Sequence, residues 1–253
     1  MSQTTTDSPP PPQTGAECCR VDSDMLVQAQ IFRDLPADIL SRIAPLSEEV
    51  SDTANTLLCR QGDLATRLYV LLDGQVTLSN TVQNGISAVV EVVQPGGHFV
   101  LATMLARLPF LMNAHTTTPA RLIAIDGEGI LALIQDEPRI ASAILRAEAM
   151  DFGAMVRQIC DLKLRTTAQR LGCYLLDLSK DQVENSASFR LPFDKRLLAA
   201  RLGCRQENLS RAFAALRALG VETHGAKVIL HDIARLRDYA VPDDSADLAQ
   251  VPL

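Results

Sequence analysis

Glu207 and Arg211 stand four residues apart in the segment Gln206–Leu219, where Leu209, Phe213 and Leu216 recur at helical spacing. That spacing puts the pair on one exposed helix face. A guanidinium can donate two hydrogen bonds to guanine O6 and N7, and a carboxylate can accept one from cytosine N4. The two side chains therefore have the chemistry to read both members of a G·C pair. Arg205, Gln206 and Ser210 surround them with further donors and acceptors. The same spacing also suits a solvated Glu–Arg pair on an ordinary helical hairpin, and at this level both readings stand. Enzyme chemistry has no comparable footing. The chain contains no P-loop, no Gly-x-Ser-x-Gly, no His-Glu-x-x-His and no Gly-x-Gly-x-x-Gly.

The segment that carries the pair reads as two helices joined by a break at Gly203. Asp194 is placed to cap the first, over Lys195–Leu202, and Cys204-Arg205 complete the turn into the second. In such a helix-turn-helix the second helix enters the major groove with its N-terminal residues at the base edges. Val221–Leu230 then reads as two short strands around His224-Gly225, a wing whose His224 and Lys227 can meet phosphates. Before it, 166–178 is expected to be helical and Ser179–Ser188 a polar loop. Upstream, 138–164 reads as one long helix with Pro138 in its first turn. Phe152, Met155, Ile159, Leu162 and Thr166 follow 3-4-3-4 spacing along it, a seam for pairing with a second copy. The alternative is that this stripe packs on its own chain.

From about Ser51 to Asp126 the pattern changes. Short apolar runs (Leu68–Leu72, Val89–Val93, Leu122–Ile125) alternate with turn residues at Asp73-Gly74, Asn84-Gly85 and Pro95-Gly96-Gly97. Strands at this spacing predict a small antiparallel barrel or sandwich. A short amphipathic helix fits Pro36–Leu46, and the Pro-rich start cannot form helix or sheet. Charge is divided in the same way. The 253 residues carry a net charge of −6, yet 162–240 holds 14 Lys/Arg against 8 Asp/Glu, and the rest 10 against 22. A basic module flanked by acidic sequence suits an anionic partner. No apolar run reaches the ~18–20 residues of a membrane helix, and the N-terminus lacks a signal core. The six scattered Cys suit a reducing cytoplasm.

Together these pieces resemble the Crp/Fnr superfamily of bacterial transcription regulators over about residues 30–240. The matching stretches are Phe32-Arg33-Asp34-Leu35-Pro36, Arg60-Gln61-Gly62-Asp63, Leu68 to Val76, and above all the run from Gly203 to Arg217. The resemblance implies an α+β chain. An N-terminal antiparallel β-barrel of the cyclic-nucleotide-binding type, a double-stranded β-helix, would span 25–137 after a disordered tail at 1–24. A dimerisation helix at 138–164, a winged helix-turn-helix at 165–240 and a C-terminal tail at 241–253 would follow. It further implies a homodimer in a bacterial cytoplasm, acting with RNA polymerase and more as activator than repressor, with no membrane partner. Glu207-x-x-Ser210-Arg211 resembles the Fnr type, so the expected site on double-stranded DNA is an inverted repeat close to TTGAT-N4-ATCAA. An effector-binding module of an enzyme is the rival from another class, and such modules lack the winged helix-turn-helix.

The family's barrels often bind an effector. The carboxylate that would hold a cyclic-nucleotide ribose falls on Leu101 or Ala102, and the phosphate arginine near Asn113-Ala114, so cyclic AMP is not expected. Cys18-Cys19 followed by Cys59 does not match the Fnr iron–sulfur spacing, so no cluster of that type is expected. The apolar stretch from Phe99 to Met112, flanked by His98 and His115, suits a non-covalent haem b sensing nitric oxide or carbon monoxide. His98, Phe99, Met104, Met112 and His115 are its candidate pocket, although Met and Phe in such a stretch are more often plain core, and the two histidines also suit turns. Thiol oxidation at Cys18, Cys19 or Cys204, or no effector at all, is the alternative.

Overall fold

The computed structural model describes residues 20–81, 87–180, 185–192 and 194–242. The expected Asn84-Gly85 hairpin tip, Cys18 and Cys19 lie outside them. The chain divides into two compact units, one ending at Glu148 and one beginning at Ala149, to which the segment ending at Glu91 also belongs. The division falls inside the long helix.

The first unit begins with α1 (Ser23–Val27), a 3-10 turn (Gln30–Phe32) and α2 (Ala37–Ile43). Residues 20–24, expected to belong to the disordered tail, take part in the fold instead. Arg20 bridges Glu48, Val21 is buried and Asp22 caps α1. The helix expected to run to Leu46 stops at Ile43 and tightens into a 3-10 turn over Ala44–Leu46. Pro45 has no N–H to continue the α-helical ladder.

Strands β1 (Ser47–Asp52), β2 (Leu57–Cys59), β3 (Arg67–Asp73), β4 (Val76–Thr81), β5 (Ser87–Val93) and β6 (His98–Phe99) follow, and after α3 (Leu101–Leu105) come β7 (Asn113–Thr116) and β8 (Ala120–Asp126). They form two four-stranded sheets, β1-β8-β3-β6 and β2-β7-β4-β5. The central β3–β8 ladder runs from Arg67 opposite Asp126 to Asp73 opposite Arg121. The tight Asp73-Gly74 connection needs its glycine. Gly74 has φ +87°, and a Cβ there would sit 2.2 Å from the Pro119 carbonyl oxygen.

Two apolar cores result. One, inside the barrel, joins Cys59, Leu71, Val76, Leu78, Phe99 and Leu122. The other packs Leu26, Phe32, Ile39 and Ile43 against Ile123, Ile125, Ile130 and Ile140. Ile130 lies on α4 (Gly127–Asp136) and Ile140 on α5 (Pro138–Leu164). The long helix thus has the bounds its sequence predicts, whereas α3 and α4 are not foreseen. The five residues of α3 are almost all apolar and show no period. Gly127 and Gly129 look like helix breakers in α4, but they mark close packing. A Cβ on Gly127 would lie 2.6 Å from the Thr66 carbonyl, and one on Gly129 2.7 Å from Leu46. Asp126 caps the helix through the Gly129 amide at 2.7 Å.

The second unit holds α6 (Thr167–Asp177), β9 (Ala187–Arg190), α7 (Lys195–Arg201), α8 (Gln206–Arg217), β10 (Val221–His224), β11 (Lys227–Leu230) and α9 (Ile233–Ala240). Leu171, Leu175, Leu209, Leu216 and Leu236 form its buried interior. Gly172 of α6 leaves no room for a Cβ beside Ala240 of α9, at 2.9 Å. The wing corrects the two-strand expectation. It is a three-stranded sheet in the order β10-β11-β9, whose third strand begins inside the stretch read as a loop. Ala187–Arg190 has too few residues to announce a strand alone. It becomes one by pairing with β11.

Candidate nucleic-acid interface

The sequence builds the helix pair with local devices. Asp194 accepts the Leu197 amide at 2.7 Å and starts α7. Gly203 then takes φ +62°, and the Cys204 amide closes the turn on the Ala199 carbonyl at 2.9 Å. Residue types are constrained on both sides of this turn. A Cβ on Gly203 would meet Leu162 Cδ2 at 2.5 Å. Arg205 occupies the N-cap of α8 with extended backbone and makes no side-chain cap, which leaves its guanidinium to other partners.

Within α8, Leu209, Ala212, Phe213 and Leu216 are buried, so Gln206, Glu207, Ser210 and Arg211 are exposed on the opposite face. Among the described residues neither Glu207 nor Arg211 enters an ion pair, with each other or elsewhere. The helix N-terminus adds its own positive end to this face. The wing carries Lys227 exposed beside the Gly225 turn. His224 is engaged through Nε2 with Glu222 at 2.7 Å, and His231 holds the other carboxylate oxygen at 2.9 Å. These two histidines, His231 the stronger, hold the Glu222 carboxyl below its ordinary value.

The seam residues lie in the second unit on α5, with Phe152 67% exposed, Met155 57%, Ile159 48% and Leu162 44%. Among the described residues these apolar side chains stay largely uncovered, Leu162 alone lying against the Gly203 turn. The end of α5 is tied down instead by arginines. Arg170 of α6 donates to the carbonyls of Asp161, Leu162 and Arg165 at 3.5, 3.5 and 3.1 Å, filling acceptors the helix leaves open.

Three of the candidate haem residues divide between the two cores, and the two histidines lie on strands. Phe99 stacks on Tyr69 at 5.2 Å between ring centroids and packs inside the barrel with Met112. Met104 belongs to the other core, with Ile123 and Ile130. His98 pairs across from Val70 on β6, and His115 lies on β7 between Leu57 and Thr77. The five are not gathered in one core, so their packing does not by itself form a haem pocket. Of the described cysteines, Cys59 is buried and its thiol is pushed up to about 12, chiefly by burial. Burial also raises Cys204. Both are held as thiols rather than thiolates. The sequence reading missed Arg190, which sits exposed on β9 opposite Lys227. Only the pairing of β9 with β11 brings it to the wing. Among the described residues no helix is long and apolar enough to cross a membrane.

Comparison with known proteins agrees with this architecture. Residues 50–145 match the cyclic nucleotide-binding domain and 169–239 the Crp-like helix-turn-helix domain. A solved Ruegeria pomeroyi structure, described as a cyclic nucleotide binding protein, is 32% identical, with 88% of this chain and 98% of that one covered at a TM-score of 0.60. The CRP-like cAMP-activated global transcriptional regulator of Mycobacterium tuberculosis is 21% identical over 84% of this chain and 97% of its own length. FixK2 of Bradyrhizobium japonicum shares the fold at a TM-score of 0.64 and 17% identity, over 76% of this chain and 96% of its own. The relatives are transcription regulators rather than enzymes. The chain belongs to the Crp/Fnr superfamily and is a DNA-binding transcription regulator of that type.

Proposed function

We propose that two copies of the chain pair along α5 and read an inverted repeat close to TTGAT-N4-ATCAA, activating transcription from it together with RNA polymerase in a bacterial cytoplasm. The observation that carries this reading is that Glu207 and Arg211 are exposed on the outer face of α8 and, among the described residues, enter no ion pair. A solvated ion pair would have engaged them with each other. Left open, they suit the cytosine and guanine edges of one base pair, with Gln206 and Ser210 beside them. A two-fold pair of such helices matches a palindrome. Arg205 and Lys227 are the phosphate contacts that set the register.

The barrel is the place where a signal would act. Leu101, one of two positions expected for a ribose carboxylate, is 2% exposed in an apolar core, and the other is an alanine. This favours control by something other than cyclic AMP, although the Mycobacterium relative is named as cAMP-activated. Haem is the less favoured signal, because Met104 packs in one core and Phe99 and Met112 in the other, with His98 on β6 and His115 on β7. A spectrum of the protein titrated with haem, reduced and exposed to carbon monoxide, reads that question directly.

The test is binding to a labelled TTGAT palindrome and to a scrambled duplex of equal length. Wild type should prefer the palindrome. Arg211→Ala should lose about 1–3 kcal/mol on the palindrome and little on the scrambled duplex. Equal affinity of wild type and Arg211→Ala for the palindrome would falsify this role.

A further inference from the structure

Leu162 serves two neighbourhoods of the second unit. With Phe152, Met155 and Ile159 it belongs to the exposed stripe of α5, and 44% of it is open. Its other side lies against the turn of the helix pair. A Cβ on Gly203 would stand 2.5 Å from Leu162 Cδ2, 3.8 Å from Cγ and 3.9 Å from Cδ1, so the whole end of the side chain faces the bare Gly203 Cα. Glycine is required here twice over. Its φ of +62° suits a residue without a Cβ, and the same bareness admits Leu162.

Both partners of this contact are held by their own elements. The Leu162 carbonyl accepts Arg170 Nη1 of α6 at 3.5 Å, and the same guanidinium is near enough to Cys204 to favour the charged form of its thiol against the burial that raises it. On the other side the Gly203 amide donates to the Ala200 carbonyl and the Cys204 amide to the Ala199 carbonyl, each at 2.9 Å, which makes the turn a continuation of α7. Arg205, the N-cap of α8, follows directly, and its carbonyl accepts the Leu209 amide at 3.0 Å. Gly203 and Gln206 are thus joined by a tied stretch of backbone. A shift of the turn is passed to the end of α8 that carries Gln206 and Glu207.

We infer that Leu162 is a positioning residue for half-site spacing. Packed between the α5 stripe and the Gly203 turn, it fixes how far each recognition helix stands from the two-fold axis, and so which spacer a palindrome must have. It touches no base. A side chain that fills the gap permits one separation, because close-packed contacts are lost as soon as either surface moves away. A shorter one leaves the turn free to settle at several. This role rests on the pairing along α5 and the palindrome proposed above, and the experiment separates its failure from theirs.

The full-length chain is titrated by fluorescence anisotropy on TTGAT-N4-ATCAA and on TTGAT-N6-ATCAA, with sedimentation and a thermal melt of each variant. Wild type should prefer the N4 duplex. Leu162→Ala should reduce that preference roughly three- to tenfold. Leu162→Met, which keeps the volume, should retain it. Gly203→Ala leaves the stripe intact and disturbs the contact from the other side, so it should reduce the preference too. In the double variant Leu162→Ala/Gly203→Ala the combined loss should be smaller than the product of the two, since both act on one contact. A wild-type N4 preference in dimeric Leu162→Ala overturns this role, whatever the melting midpoint does, and so do losses that multiply in the double variant. If Leu162→Ala sediments as a monomer, Gly203→Ala decides: a dimer with wild-type preference overturns the role, and a dimer with reduced preference sustains it. Wild type that is indifferent to the spacer overturns the paired reading and this role with it. Wild type that prefers N4 beside a Leu162→Ala dimer that does so equally overturns the role alone.

Discussion

Glu222 is the carboxylate on which two histidines of the second unit, His224 and His231, converge. Its carboxyl is held below the ordinary value of 4.5 by hydrogen bonds from His231 and His224. A carboxylate whose folded-state value is depressed stabilises the protein fully above its unfolded value and loses that contribution as pH falls through the folded one. Acid should therefore weaken the wing from about pH 4.5 downward. Glu222→Gln should show a shallower fall of the melting midpoint over this range than wild type. Parallel curves would show that the two histidine contacts carry no stability. The residue scale also shows where sequence reasoning was sufficient. Gly203, Asp194 and the Glu207–Arg211 spacing were legible because each acts within a few positions along the chain. Arg190 was not, because its meaning depends on a strand almost 40 residues away.

At the scale of elements, α6 is held at its start by reciprocal contacts. Thr166 accepts the Gln169 amide at 3.3 Å, and the Gln169 side chain accepts the Thr166 amide at 3.0 Å. This capping box ties the first turn of the helix on which α8 and α9 pack. Thr166→Ala should cost about 1 kcal/mol in urea unfolding, with an unchanged m-value. On α5 the exposed seam makes a second claim. Ile159→Asp would place a charge in the middle of the paired stripe, where burial without a partner is costly. The variant should sediment as a monomer at concentrations where wild type sediments as a dimer, with its melting midpoint little changed. A dimeric Ile159→Asp would assign the stripe to some other role. The long helix was readable from its period and from Pro138 at its start, while α4 was hidden by two glycines. Those glycines exist for contacts with Thr66 and Leu46, residues far outside any helical window.

For the whole molecule, two recognition helices related by a two-fold axis should require both half-sites. A duplex with one TTGAT half-site scrambled should bind far more weakly than the full palindrome, and inserting about half a helical turn between the halves should weaken it as much. Titration by anisotropy on the three duplexes measures this directly, and equal binding to all three would remove the two-fold reading. What the sequence by itself determined is the order of modules: strands with turn residues, one long helix, a capped helix pair and a wing. Each of these is encoded by local periodicity, capping and punctuation. It also placed the chemistry of α8, since residues four apart on a helix share a face whatever surrounds them. Tertiary structure alone decided which apolar residues become which core. The stretch from Phe99 to Met112 looked like one pocket, and packing sends Phe99 and Met112 inside the barrel and Met104 to the helical core. It alone decided that Ala187–Arg190 is a strand, and so that Arg190 stands opposite Lys227 on the wing. The reason is the same in both cases. A short apolar or polar run has no intrinsic structure strong enough to choose its neighbours, and its role is assigned by the partners that distant parts of the chain bring to it.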